Sequence, residues 1–133
     1  MCTVSYIPPS YTSGGFIFTS NRDERVYRDT AIPRVYPFGR VQLCFPRDTK
    51  AGGSWIAANN DGRVSCLLNG GWVPHEKKPS HIHSRGRVLV DLVASQRDPM
   101  IFFSYSDLSG TEPFTVVTID QKENEIVSFT VFI

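Results

Sequence analysis

Ser54-Trp55-Ile56-Ala57-Ala58-Asn59-Asn60-Asp61-Gly62-Arg63-Val64-Ser65-Cys66-Leu67-Leu68-Asn69 decides the fold class of this chain. Two β-prone runs, Ser54 to Asn59 and Arg63 to Asn69, flank Asn60-Asp61-Gly62, a tight-turn signal because Asn, Asp and Gly accept the backbone angles a hairpin turn needs. The stretch therefore reads as an antiparallel hairpin. Outward from it, Val41 to Phe45 is a further strand, and residues 2–7 and 15–22 are β-prone runs separated by Pro8-Pro9-Ser10 and Ser13-Gly14-Gly15, which implies a hairpin-like return. On the C-terminal side, Ser84 is placed to cap a helix through Arg97. Val88, Leu89, Leu92 and Val93 form its apolar face, and Asp98-Pro99 breaks it. A second, short helical segment over Met100 to Tyr105 competes with an extended reading of Ile101-Phe102-Phe103. Phe114 to Asp120 and Glu125 to Ile133 close the chain as a terminal hairpin around 121–124. About seven strands and one or two helices make an α+β protein, with mostly antiparallel strands and a helix packed on a sheet.

Composition narrows the function classes. A chain of 133 residues is one domain's worth, so a single domain over 1–133 is expected. Fourteen basic against thirteen acidic residues leave a net charge of +1, which favours neither nucleic acid nor an anionic membrane as partner. No run approaches the roughly 18 or more apolar residues of a membrane span, and residues 2–9 lack the basic and long apolar regions of a secretory signal. Cys2, Cys44 and Cys66 are odd in number and widely spaced, which suits a reducing compartment better than a disulfide framework. A cytoplasmic protein with no integral membrane segment is expected.

The chemistry begins at residue 2. Cysteine is small enough for removal of Met1 to be expected, which would leave a thiol and a free α-amine on one residue. The thiolate is the reactive form, and an α-amine with a pKa of about 7.7–8.0 can serve as its general base. The competing reading is a buried, inert cysteine in a first strand.

Ser20-Asn21-Arg22-Asp23-Glu24-Arg25 follows the apolar run Phe16-Ile17-Phe18, and Gly52-Gly53-Ser54-Trp55-Ile56-Ala57 and Leu67-Leu68-Asn69 come after it in that order. With Met1-Cys2, these segments resemble the NRDE family, also called the transport and Golgi organisation family, whose signature is Asn21 to Glu24. The similarity is continuous from Cys2 to about Asp98 and general in strand pattern beyond. The resemblance implies an N-terminal-nucleophile (Ntn) hydrolase-like fold of two antiparallel sheets between helical layers. Such a fold takes more chain than this, so a partial or truncated version is expected. A final strand ending Val127-Ser128-Phe129-Thr130-Val131-Phe132-Ile133 would then present an uncovered apolar face, with Phe129 and Val131 on it, and favour self-association.

Within that frame Cys2 is the candidate nucleophile. Side chains alternate along a strand, so Asn21 and Asp23 share one face and Arg22 and Glu24 the other. Asp23 is assigned to the N-terminal amine, and Arg22 either to the thiol or to a structural anchor. A purely structural ion-pair cluster is the competing reading. Asn69 is the oxyanion candidate, since its amide is a neutral donor and its place after Leu67-Leu68 resembles that of the oxyanion asparagine in related N-terminal-cysteine hydrolases; it equally suits the start of an Asn-Gly turn. Gly52 and Gly53 serve either a close backbone approach to a ligand or a tight entry to the strand carrying Trp55, itself read as core.

His75, His81 and His83 with Glu76 lie in a loop-forming segment without a cysteine partner, so no metal is assigned, and no glycine pair has phosphate-loop spacing, so no nucleotide or other cofactor is assigned. Two functions remain. One is hydrolysis of a small-molecule amide or acyl compound through a Cys2 acyl-enzyme; the other is a non-catalytic role in lipid, acyl-CoA or haem handling and secretory-membrane organisation, as the resemblance implies.

Overall fold

The computed structural model describes residues 2–71, 74–76, 78–121 and 125–131, with the backbone alone at 125 and 127–131. Strands β1 (Thr3–Ile7) and β2 (Ile17–Asn21) pair antiparallel as a separate two-stranded sheet. A second antiparallel sheet has the order β3 (Thr30–Phe38), β4 (Val41–Asp48), β5 (Ile56–Asn59), β6 (Arg63–Asn69), β7 (Phe114–Asp120), β8 (Glu125–Val131). Helices α1 (Arg85–Ser95) and α2 (Pro99–Tyr105) lie in the connection between β6 and β7. The protein is α+β.

The expected 54–69 hairpin forms as β5–β6, with Ile56 opposite Cys66 and Gly62 at φ 95° in the turn. A left-handed φ of this kind is what Gly tolerates and other residues resist. β3 is an addition that the sequence pattern hid. Pro33 and Pro37 interrupt it, and proline cannot donate to a ladder, so such a run reads as non-strand. The prolines are accommodated because β3 is an edge strand with a bulge between Ala31 and Arg34. The helical reading of Met100 to Tyr105 forms as α2, one residue longer at its start, where the Asp98 carboxylate accepts a hydrogen bond from the Ile101 N–H at 3.1 Å. Ser84 stands at the N-cap of α1 but makes no side-chain cap bond.

The core lies between α1 and one face of the large sheet. Val90 and Val93 pack with Val41, Leu43, Phe45 and Ala57, while Leu89 and Leu92 pack with Leu67, Phe114 and Val116. Each such side chain removed from water contributes about 1.5–3 kcal/mol. α1 comes close because Gly53 meets Gly86: a Cβ on Gly53 would stand 2.3 Å from the Gly86 carbonyl carbon. The glycine at 53 therefore serves helix-on-sheet packing.

The opposite face is covered unevenly. In β4 the apolar residues Val41, Leu43 and Phe45 are buried and Cys44 between the last two is exposed, as in a strand covered on one side. In β6 the consecutive residues Ser65, Cys66 and Leu67 are all buried, so this strand is covered on both sides. Its second cover is the β1–β2 hairpin, whose Cα atoms approach within 8 Å of β6. The side chains of Phe129 and Val131, expected on an uncovered face, lie outside the described residues. The backbone register sets those positions opposite Val116 and Phe114, both core residues.

Candidate functional site

The site grows from the register of the N-terminal hairpin. Thr3 pairs with Asn21, Val4 with Ser20 and Ile7 with Ile17, so residues 2 and 22 stand just beyond the last pair of the ladder. Burial alternates with the pleat: Val4, Tyr6, Phe18 and Ser20 are half-buried while Thr3, Ser5, Ile7, Ile17, Thr19 and Asn21 are exposed. Cys2 and Arg22 are half-buried on this same inward face. The hairpin packs against β6, which carries Cys66, whose thiol is pushed up by burial; a hydrogen bond with the Ser20 side chain opposes that shift, and the charge of Cys2 adds to it.

Arg22 is held by a tight set of partners. Its Nη2 donates to Asp48 Oδ2 at 2.7 Å, its Nη1 donates to Thr30 Oγ1 at 2.8 Å, and its guanidinium carbon lies 4.7 Å over the centre of the Trp55 ring. Arg28 Nε donates to the same Asp48 oxygen at 2.7 Å, and Arg28 Nη1 donates to Glu24 Oε2 at 2.9 Å. The other Asp48 oxygen accepts the N–H groups of Lys50 and Ala51 at 3.0 and 2.8 Å. Burial opposes ionisation of Asp48, but the Ala51 N–H, the Arg28 charge and the Lys50 N–H outweigh it and hold the carboxyl below its ordinary value. Glu24 is likewise lowered, first by the N–H of Arg25 and then by Arg28 and Arg22.

The tetrapeptide 21–24 thus divides as alternation requires. Arg22 and Glu24 enter the ion-pair network, and Asn21 and Asp23 are exposed. Trp55, read from sequence as core, is instead a half-buried platform for the Arg22 cation.

Arg85 is the residue that sequence reasoning missed. It opens α1, where the helix dipole disfavours a cation, and that misfit was the available signal. Its Nη1 donates to the Pro113 carbonyl at 3.2 Å, and its Nη2 lies 3.5 Å from Glu112 Oε2. Burial lowers its pKa, while Glu112, Cys2 and Glu24 favour its charge and Arg28 opposes it. The start of α1 therefore sits within the electrostatic reach of Cys2. Glu112 also holds His75, at 3.3 Å from Nε2. Among the described residues no group of three or more His, Cys, Asp or Glu is arranged to hold a metal ion.

Asn69 ends β6 opposite Phe114 and is exposed, with no hydrogen bond from its side chain to any described residue. Gly70 follows at φ 85° and donates its N–H to the same Pro113 carbonyl that Arg85 engages, at 2.9 Å. By alternation Asn69 shares the α1 side of the sheet with Leu67, whereas Cys2 approaches from the hairpin side.

Residues 1–131 match the family model described as Transport and Golgi organisation 2. The chain belongs to this family. No curated protein matches it. The family match takes in Cys2, the 21–24 tetrapeptide and Asn69 together. Among the described residues no helix is long and apolar enough to cross a membrane.

The arrangement offers this family member a half-buried thiol, an exposed carboxylate next to the strand end facing it, and an arginine and a tryptophan locked against each other at the hairpin's edge. A thiol so placed is accessible to small electrophiles while its neighbourhood is fixed by ion pairs.

Proposed function

We propose that this protein is an N-terminal-cysteine hydrolase of a small amide or acyl compound, working in the cytoplasm through a Cys2 acyl-enzyme on an Ntn-like framework. The observation that supports the reading is the half-burial of Cys2, in phase with the inward residues of a β1–β2 hairpin that packs against β6. With Met1 removed, the α-amine takes the thiol proton as the sulfur attacks the carbonyl, and later returns it to the leaving group. Asp23 orients that amine. Arg22 is a positioning residue, which fixes the end of β2 through Asp48 and Trp55. Asn69 ends β6 on the α1 side, so to serve as the oxyanion donor, a contact worth on the order of 3 kcal/mol when preorganised, its amide must reach round the strand end to the hairpin side.

The test is intact-mass analysis followed by incubation with short-chain acyl thioesters and acyl amides. Loss of Met1 and an acyl adduct on Cys2 that disappears in Cys2→Ala support the reading. Retained Met1, or turnover undiminished in Cys2→Ala, overturns it.

A second reading, a non-catalytic part in lipid, acyl-CoA or haem handling and Golgi organisation, is favoured by the use of Arg22 and Glu24 as structural ion-pair partners. In that case tetrapeptide variants lose stability, and no acyl adduct forms on Cys2 in the wild type.

A further inference from the structure

We infer that Cys2 and Cys66 form a reversible disulfide that joins the N-terminal hairpin to β6. Cys66 is fully buried and takes no part in the proposed hydrolysis. It belongs to the face of β6 opposite α1, because its neighbours Ser65 and Leu67 occupy the α1 side. The β1–β2 hairpin covers that face, and its inward residues Cys2, Val4 and Ser20 look onto it. Stacked sheets ordinarily lie about 10 Å apart, but Cα atoms of β1 come within 8 Å of β6. Cys2 immediately precedes β1, and a disulfide spans Cα separations up to about 7 Å, so the bond asks the N-terminal end of the hairpin to settle against Cys66. The hydrogen bond from Ser20 and the charge of Cys2 both act on the titration of the Cys66 thiol, in keeping with a hairpin that rests on β6. Cys44 lies on β4, is exposed and has no such cover.

The oxidant is a hydroperoxide. The Cys2 thiolate attacks one peroxide oxygen, the S–O bond forms and the O–O bond breaks, and the departing hydroxide takes a proton to become water. Cys66 then attacks the Cys2 sulfenic sulfur; the S–S bond forms, the S–O bond breaks, and the hydroxyl leaves with the Cys66 proton as a second water. Two thiols and one hydrogen peroxide give one disulfide and two waters. A dithiol reverses the change. Cys66 is the resolving partner because burial keeps it protonated and shielded until Cys2 has been oxidised. The disulfide ties up the Cys2 sulfur, so it also switches off the hydrolysis, a consequence that rests on the reading above.

The test treats the reduced full-length chain with a modest excess of hydrogen peroxide, quenches with iodoacetamide, and maps disulfides by peptide mass. The expected result is the loss of two hydrogens from the monomer, a Cys2–Cys66 cross-linked peptide, and loss of Cys2 alkylation, all restored by dithiothreitol. Cys44→Ser should behave as wild type. Cys66→Ala should keep its mass under the same treatment except for Cys2 oxygen adducts. If Cys66→Ala fails to fold, the wild-type map and Cys44→Ser alone decide. Cross-links through Cys44, disulfide-linked dimers, or Cys2 oxygen adducts in place of an internal cross-link overturn the inference. Cross-linking does not require removal of Met1, so it can succeed where acyl-enzyme formation fails, and the reverse.

Discussion

Arg22 Nη2 meets Asp48 Oδ2 at 2.7 Å, and this pair ties the end of the N-terminal hairpin to the end of β4 in the other sheet. Their side chains are mostly buried, at 17% and 7% exposure. Hydrogen bonds from Arg28 and from the Lys50 and Ala51 backbones satisfy what remains of the Asp48 carboxylate. A carboxylate surrounded in this way is costly to neutralise, because two guanidinium groups then lose their counter-charge in a poorly solvated site.

Asp48→Asn should therefore destabilise the fold by about 3 kcal/mol, the scale of breaking a buried ion pair from one side. Urea unfolding measures the loss. Limited proteolysis should show faster cleavage between β2 and β3, since the hairpin's anchor is what has been removed.

Acid should weaken the same network. Asp48 and Glu24 are held below their ordinary values of 3.8 and 4.5, so the folded state binds their protons less readily than the unfolded state. Their stabilisation is complete above those ordinary values and is lost as pH falls through the lower folded values. Urea midpoints should thus decline from about pH 4.5 downward, with a shallower decline in Asp48→Asn.

Gly53→Ala tests helix placement. The new methyl would meet the Gly86 carbonyl carbon at 2.3 Å, which is backbone and cannot rotate aside. A loss of about 3 kcal/mol is expected from overpacking, together with reduced helical circular dichroism on mild heating. Gly39→Ala is a control for steric crowding, since nothing lies within 4 Å of a Cβ there; its φ of +61° leaves only local strain.

Alkylation by iodoacetamide at neutral pH ranks the three thiols. Cys66 should be the slowest by about tenfold or more, being buried with its thiol pushed up. Under the proposed hydrolase reading Cys2 labels faster than the exposed Cys44, and Asp23→Asn slows Cys2 alone. Equal labelling of all three in the native protein would place Cys66 in solvent and contradict the double cover of β6.

Sequence alone determined what local chemistry determines. The Asn60-Asp61-Gly62 turn, the pleat alternation of β4 and the apolar spacing of α1 are each written within a dozen residues, so antiparallel strands, the hairpins and the main helix were legible. The short return between β1 and β2 also set Thr3, next to Cys2, opposite Asn21, next to Arg22. β3 was hidden because two prolines oppose strand pairing unless the strand lies at an edge, and edge position is a property of the whole sheet. Only the tertiary structure decided what the candidate site residues touch. Arg22 found Asp48 and Trp55, the hairpin that follows Cys2 came against β6, and Arg85 found Glu112 and the Pro113 carbonyl at the start of α1. Those partners lie tens of residues apart, and packing between layers brings them together; periodicity within a strand or helix carries no information about which residue of another layer will lie opposite.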